Sequence, residues 1–274
     1  MTTEDLTQLA TSLLVRRTMA LARSEPVRQS EDYWAHVRVL RFRSGRDVFE
    51  EAVGLCSNSD AISRAVGADI LAQLGVRDGG VFPFADESAG PLGDLLADTD
   101  PTVIASALYA LGHLGRGEPA RLARLSRHPS EDVRHALAYA LGGRTDAIST
   151  ATLVDLSGDV DTDTRNWATF ALGALSEEDS AAIRDALAAR LSDPDDEVRA
   201  EAIAGLAQRR DERVVPLILQ ELRLPAVGIL AIEAAGAIPR PEFVPRLEAL
   251  HAAHPGDRTI DEALTRCREV VKTQ

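Results

Sequence analysis

The feature that most constrains this chain is a helical pattern that recurs about every thirty residues. One copy, at 196–199, reads Asp-Glu-Val-Arg and opens a run of apolar residues at helical spacing. The equivalent positions, which we call anchors, are Trp34, Arg64, Ile104, Arg134, Arg165, Arg199, Gly228 and Ile260. Successive anchors are 30, 40, 30, 31, 34, 29 and 32 residues apart. Each interval holds enough sequence for two helices, so the pattern predicts a stacked array of two-helix repeats.

The first helix of each repeat has a defined inward face. Counted from the anchor, position +3 is mostly small, and position +8 is alanine or glycine. Position +7 is leucine in five consecutive repeats: Leu71, Leu111, Leu141, Leu172 and Leu206. Spacings of three, four and seven residues share one helical stripe, so we expect these positions to be buried. The small residues should let neighbouring first helices approach closely, and a glycine at +8 can also end the helix.

The rest of the chain fits the same array. The second helices show weaker periodicity, and the 40-residue interval predicts an inserted loop at 76–90. Residues 1–28 hold one amphipathic helix, which we expect to cap the array, and residues 29–274 form the repeat array as a single domain. We find no strand pattern, so the predicted fold class is all-α.

Charge and composition restrict the partners. The chain has 43 acidic and 30 basic residues, a formal charge of −13, which disfavours binding to phosphate backbones. Cys56 and Cys267 are far apart, no signal peptide is evident, and no apolar stretch reaches the length of a membrane span. We therefore expect a cytoplasmic protein that binds neither nucleic acid nor membrane.

No motif makes a positive case for catalysis. We find no nucleophile elbow and no phosphate-binding loop, so we expect a protein that is not an enzyme and has no cofactor. The acids at 159–163 resemble the start of a calcium loop, but Thr164 replaces the required glycine, so we interpret them as helix caps. His251 and His254 lie three apart without a matching ligand, so no metal site is predicted. The anchor arginines are interpreted as structural, each paired with a loop carboxylate of its own or an adjacent repeat.

The pattern also resembles a known family. The segments at 163–171 and 197–206, and above all the run Arg165-Asn166-Trp167, are similar to the YibA-like bacterial HEAT-repeat proteins. This resemblance implies a right-handed α-solenoid of about seven to eight helical hairpins that serves as a non-catalytic, protein-binding scaffold or adaptor. Members of such families are sometimes encoded beside polymorphic toxins, so the resemblance also implies an immunity role against a toxin domain.

Two sets of residues are candidates for partner binding. Arg121, Arg124 and Arg127 should form a basic stripe on the second helix of one repeat, with Leu122 and Leu125 facing the core. Position +5 is aromatic in three consecutive repeats, and it lies beside polar residues at +1 and an adjacent tryptophan. This second set comprises Tyr109, His135, Tyr139, Asn166, Trp167 and Phe170. A simpler interpretation stays open for each set: the arginines form a solvated face, and the aromatic residues pack between repeats.

The leading hypothesis is a solenoid, monomeric or weakly oligomeric, whose concave face holds a partner protein. We expect the second helices to line that face. Two alternatives stay open: a HEAT-like DNA glycosylase, which a salt-dependent gel shift would reveal, and a bilin-lyase-type subunit, which pigment transfer would reveal.

Overall fold

The computed structural model describes residues 6–24, 30–43, 45–75 and 82–273. Across these ranges the regular structure is helical and contains no strand, which confirms the all-α class. The chain divides into two compact units, Met1–Leu141 and Gly142–Gln274, where the sequence predicted a single array from residue 29 onward. Each unit is built from the same two-helix repeats.

Unit 1 contains eight helices within its described residues. They are α1 (Thr11–Ser24), α2 (Glu31–Arg43), α3 (Arg46–Cys56), α4 (Ala61–Gln73), α5 (Ala85–Leu95), α6 (Pro101–Leu114), α7 (Pro119–Ala123) and α8 (Glu131–Leu141).

Unit 2 continues the series with eight more α-helices over its described residues. They are α9 (Ala147–Leu156), α10 (Thr162–Phe170), α11 (Ala181–Arg190), α12 (Asp196–Gln208), α13 (Val215–Glu221), α14 (Ile229–Ala237), α15 (Val244–Ala253) and α16 (Arg258–Thr273). Short 3-10 turns precede α13 and α15, and a π-helical segment, Ala171–Leu175, follows α10.

The first helices pack side by side within each unit. In unit 1, α4 packs against α6 and α6 against α8; in unit 2, α10, α12, α14 and α16 follow one another in the same way. The second helices α3, α5, α11 and α15 each pack against the first helix that follows them. The five leucines at position +7 are all buried, as the sequence predicted.

Small residues set the close approach of the first helices. A Cβ added at Gly112 would lie 2.7 Å from the Cα of Ala140, and one added at Gly205 would lie 2.6 Å from the Cα of Gly173. This confirms the packing role predicted for small residues. The prediction that glycine at +8 ends the helix is wrong for Gly112, because α6 continues to Leu114 and ends at Gly115, whose φ of 62° is left-handed.

A repeated arginine clip joins each of four first helices to the loop before it. The Nη1 group of each anchor arginine donates to the carbonyls six and five residues earlier; for Arg165 these are Asp159 at 3.0 Å and Val160 at 3.1 Å. Arg64, Arg134 and Arg199 make the same pair of bonds. The clip therefore fixes where the chain turns into each of these helices.

The same guanidinium reaches the loop of the next repeat. Arg165 donates through Nε and Nη2 to both carboxylate oxygens of Asp193, each at 3.1 Å, and Arg64 contacts Asp98 in the same two-pronged way. The predicted pairing of anchor arginines with loop carboxylates is thus confirmed at these positions. Bidentate geometry makes such pairs both stronger and more specific than a single contact.

Burial makes the Arg165–Asp193 pair sensitive to loss of either partner. The Asp193 side chain is 1% exposed and also contacts Arg190 at 3.1 Å. Burial alone would raise the pKa of Asp193. The hydrogen bonds from Arg165 and from the backbone of Asp195, with the charges of Arg165 and Arg190, hold that pKa below its usual value. The charged carboxylate is therefore stabilised in the folded protein.

Two further predictions about local structure can be compared with the helices. The predicted loop at 76–90 is wrong from residue 85 onward, because α5 begins at Ala85 and carries Asp86 and Glu87 in its first turn, where the helix dipole favours them. Residues 76–81 lie outside the described residues. The acids at 159–163 do cap a helix, since Asp161 accepts from the backbone of Thr164 at 2.8 Å.

Helix α1 packs against α2, and Arg23 of α1 pairs with Asp60 at 2.9 Å. The assignment of residues 1–28 as a cap stays a prediction, and residues 1–5 and 25–29 of this segment lie outside the described residues.

Arg209 is a structural residue that the sequence analysis missed. Its guanidinium donates to the carbonyls of Leu172, Gly173, Ser176 and Glu178, at distances from 2.8 to 3.3 Å. These carbonyls belong to or follow the π-helical segment, whose C-terminal groups would otherwise lack partners. Arg209 therefore terminates that segment from the neighbouring first helix.

We predict opposite effects for alanine at two helical glycines. Gly205→Ala places a methyl group against the backbone of Gly173, so the unfolding free energy should fall by about 1–3 kcal/mol. Gly54→Ala, in α3, meets no atom within 4 Å and should raise it by about 0.5–1 kcal/mol, because alanine is the better helix former. Chemical denaturation of the two variants measures both changes. Equal effects at the two sites would contradict the close approach of α12 to the π-helical segment Ala171–Leu175.

Candidate functional site

The three candidate arginines lie within or just after α7, a helix of a single turn. Helix α7 ends at Ala123, so Arg121 alone lies within it, while Arg124 and Arg127 lie in the turn beyond. The prediction of a stripe along one helix is wrong in this respect, because Pro119 starts the helix late and the chain turns after Ala123. All three side chains are exposed, and Leu122 is buried as expected, whereas Leu125 is half-buried.

Nearby acids balance this arginine cluster in part. Arg121 lies 3.8 Å from Asp94, and Arg116 contacts Asp86 at 2.7 Å. Arg124 and Arg127 have no ion pair within the described part of the chain. The exposed guanidiniums of Arg124 and Arg127 are therefore available to carboxylates of a partner. A role of the three candidate arginines in binding stays a prediction.

A groove of about 330 Å³ lies on the first helices of unit 1. We call it the aromatic groove. It is lined by Trp34 of α2, Asp69, Ala72 and Gln73 of α4, Tyr109, Ala110 and His113 of α6, and Tyr139 of α8. Tyr109 and Tyr139 pack with ring centroids 5.2 Å apart, tilted by 56°. The structure thus brings together two of the aromatic side chains predicted at position +5.

Hydrogen bonds hold these rings in place. The Tyr109 hydroxyl contacts His135 Nδ1 at 2.8 Å, and the Tyr139 hydroxyl contacts His113 Nδ1 at 3.4 Å. Tyr109, Tyr139 and His135 are half-buried. Each ring therefore has a packed side and a side open to a partner, an arrangement typical of binding hot spots.

The sequence analysis did not assign the four other polar or aromatic residues of the aromatic groove, Trp34, Asp69, Gln73 and His113, to a site. Asp69 occupies position +5 one repeat earlier than Tyr109, and Gln73 and His113 both occupy position +9 of their repeats. The shared position +5 places Asp69 on the same helical face as Tyr109, and this was the available sequence signal. Trp34 is an anchor, and the pattern gave no sign that an anchor residue faces a groove. Asp69 is buried and accepts a hydrogen bond from the Tyr33 hydroxyl at 2.8 Å.

The other candidate residues lie in unit 2. Trp167 and Phe170 pack with ring centroids 5.4 Å apart, and both are half-buried. Asn166 donates from Nδ2 to Glu197 at 3.3 Å. Asn166 lines a second groove, of about 440 Å³, with residues of α12, α13 and α14. We call this the acidic groove, because Glu197, Glu201 and Glu221 also line it.

Both grooves are lined mainly by first helices. The sequence analysis expected the second helices to form the binding face, but most of the polar and aromatic side chains that line these grooves project from the first helices α2, α4, α6, α8, α10 and α12, and Glu221 of α13 is the exception among them. The physical reason is that each first helix buries its stripe at +3 and +7, which leaves positions such as +1 and +5 facing away from the core.

The described residues were also compared with the requirements of a metal site and of a membrane span. No group of three or more histidine, cysteine, aspartate or glutamate side chains there could hold a metal ion. None of the helices described is both long and apolar enough to cross a membrane. Cys56 and Cys267 are buried free thiols, and burial raises the pKa of Cys56 to about 12.

We predict that His113 titrates below the usual histidine value. Burial, and then the positive charge of Arg41, lowers its pKa. Protonation of His113 therefore favours the unfolded chain, and stability is lost as the pH falls from about 6.5 towards the folded pKa. An NMR pH titration, with His113→Gln to assign the signal, measures the midpoint, and the same variant should flatten this part of the stability profile. A midpoint at or above about 6.5 would show that burial and Arg41 do not lower the pKa of His113.

This chain is similar to a family of repeat proteins and to one of its members of known structure. The family model for HEAT repeats matches residues 184–265. Protein YibA of Escherichia coli strain K12 is 31% identical over 223 residues, which cover 78% of this chain and 77% of YibA. The X-ray structure of E. coli YibA superposes with a TM-score of 0.75 at 28% identity, covering 97% of this chain and 95% of that chain.

A crystal structure of computationally designed armadillo repeat proteins for modular peptide recognition shares the fold more distantly. Its TM-score is 0.50 at 18% identity, covering 69% of this chain and 99% of that one. These matches agree with the solenoid of two-helix repeats predicted from the anchors. The extent and identity of the match to YibA establish that this chain belongs to the YibA-like family of HEAT-repeat proteins.

Proposed function

We propose that this chain is a non-catalytic scaffold that binds a partner protein through the aromatic groove. The observation that carries the proposal is the pair of half-buried tyrosines, Tyr109 and Tyr139, held by histidine hydrogen bonds beside an open groove. Tyrosine offers a large contact area at a low cost in side-chain entropy, and it is enriched among residues that dominate binding energy. Ordering these rings before binding reduces that cost further.

The fold supports the same proposal. Repeat arrays present extended surfaces that suit long partner segments. The designed armadillo repeat proteins that share the fold were made for modular peptide recognition. A polypeptide is therefore the class of partner that this surface fits best.

A more specific form of the proposal is an immunity role in the cytoplasm. In this form the chain binds and blocks a toxin domain encoded beside it, as the family resemblance implies. Blocking requires contact alone, so no catalytic group is needed. The exposed Arg121, Arg124 and Arg127 would meet carboxylates of the toxin at the margin of the contact.

We predict that the full chain co-purifies with the product of the neighbouring gene and that Tyr139→Ala weakens this complex at least tenfold. The expected loss corresponds to about 1.4 kcal/mol or more, the range of a binding hot spot. Phe42→Ala is the matched control, because Phe42 is 75% exposed in unit 1 and does not line the groove. Affinity should be measured by titration, with circular dichroism to show that both variants stay helical.

Two results would count against the proposal. Equal affinity of the Tyr139→Ala and Phe42→Ala variants would remove the aromatic groove from the binding site. No co-purification at high concentration would remove the immunity role. Changing Arg121, Arg124 and Arg127 together to glutamate tests the arginine cluster separately, and unchanged affinity would show that these side chains are only solvated.

A further inference from the structure

The acidic groove of unit 2 combines an apolar lining with carboxylates. Ile203 and Ala231 are buried and lie at its base, Ala200 and Leu230 are half-buried, and Ile229 is 60% exposed. Glu197, Glu201 and Glu221 line the same groove. A partner could therefore make an apolar contact with Ile229 and ionic contacts with the glutamates of the same groove.

These carboxylates are not neutralised by the protein itself. Within the described part of the chain, Glu197, Glu201 and Glu221 form no ion pair, and neither does Glu233 of α14. Several arginines of unit 2 are paired with other acids. Their pairs are Arg165 and Arg190 with Asp193, Arg184 with Asp179 and Asp211, Arg199 with Asp196, Arg213 with Asp211, and Arg240 with Glu212.

The protein environment makes the negative charge at Glu201 unfavourable. Burial, and then the charges of Glu233 and Glu197, raises the pKa of Glu201. A cation that enters the groove would relieve this repulsion. Such a cation gains more here than at a fully solvated carboxylate, because the groove is partly shielded from water.

Asn166 adds a hydrogen-bond acceptor beside these acids. Its Nδ2 faces Glu197, which can only accept when ionised, so Oδ1 is the remaining group of the amide. Oδ1 is buried and accepts no hydrogen bond from the described residues. A buried acceptor without a donor is costly, so a rotation of this amide that brings Oδ1 to a partner's donor would be favoured.

We propose that the acidic groove binds a partner segment in which arginine or lysine alternates with aliphatic residues. The cationic groups meet Glu197, Glu201 and Glu221, and an aliphatic side chain packs on Ile229. Charge complementarity selects this occupant, because the same carboxylates repel acidic peptides and phosphate backbones. The inference goes beyond the proposed function, since it assigns a second surface, with a different chemistry, to unit 2.

Fluorescence anisotropy with a labelled decapeptide of alternating arginine and leucine tests the proposal on the full chain. The peptide should bind at 150 mM salt, whereas an alternating glutamate–leucine peptide should not. The variant Glu197→Gln/Glu201→Gln/Glu221→Gln should bind the cationic peptide about tenfold or more weakly. Ile229→Ser should also weaken binding without any change in charge.

A matched control separates the groove from the net charge of the chain. Glu177→Gln/Glu242→Gln/Asp155→Asn removes three exposed carboxylates from unit 2 outside the groove, so it changes the charge equally. We expect near wild-type binding from this control. Equal weakening by the two triple variants, or equal binding of the acidic peptide, would overturn the proposal. Tyr139→Ala should leave peptide binding unchanged, so the aromatic and acidic grooves can fail independently.

Discussion

The interaction on which the repeats depend is the arginine clip at the start of the first helices. The guanidinium of Arg165, for example, donates hydrogen bonds to two loop carbonyls of its own repeat. It also donates to Asp193, which lies in the loop of the next repeat. A lysine could not do both, because it lacks the planar fork that addresses two groups at once. The clip fixes the direction of the four first helices that carry an anchor arginine, and small residues such as Gly205 set how closely neighbouring helices pack.

This use of arginine determines the character of the exposed first-helix faces. The anchor arginines and their aspartates form the contacts at the helix ends, whereas positions +1 and +5 differ between repeats. In unit 1 they include Tyr109, Tyr139 and His135, and in unit 2 they include Asn166, Phe170 and Ile229, with carboxylates such as Glu201 close by in the sequence. One framework thus presents two surfaces of different chemistry. The binding functions proposed for the grooves follow from this separation between structural and exposed positions.

The sequence predicted those parts of the structure that repeat. The leucines at +7, the arginine–carboxylate pairs and the capping role of Asp161 all follow from local spacing and are present. Other parts depend on neighbours that no single repeat reveals. Asp69 was missed although it shares the +5 column with Tyr109, because only the chain fold shows that the two line one groove. The 40-residue interval suggested a loop that extends to Gly90, yet α5 begins at Ala85 and includes this glycine.

A double-mutant cycle of Arg165→Ala and Asp193→Ala tests the central claim most directly, since it isolates the coupling between the two side chains from their other contacts. If the clip holds adjacent repeats together, each single variant should lose about 3–5 kcal/mol of unfolding free energy, because it leaves a buried charge without its partner. The coupling energy should be about 2 kcal/mol or more. Additive losses, within about 0.5 kcal/mol, would show that the pair is incidental and would contradict the account.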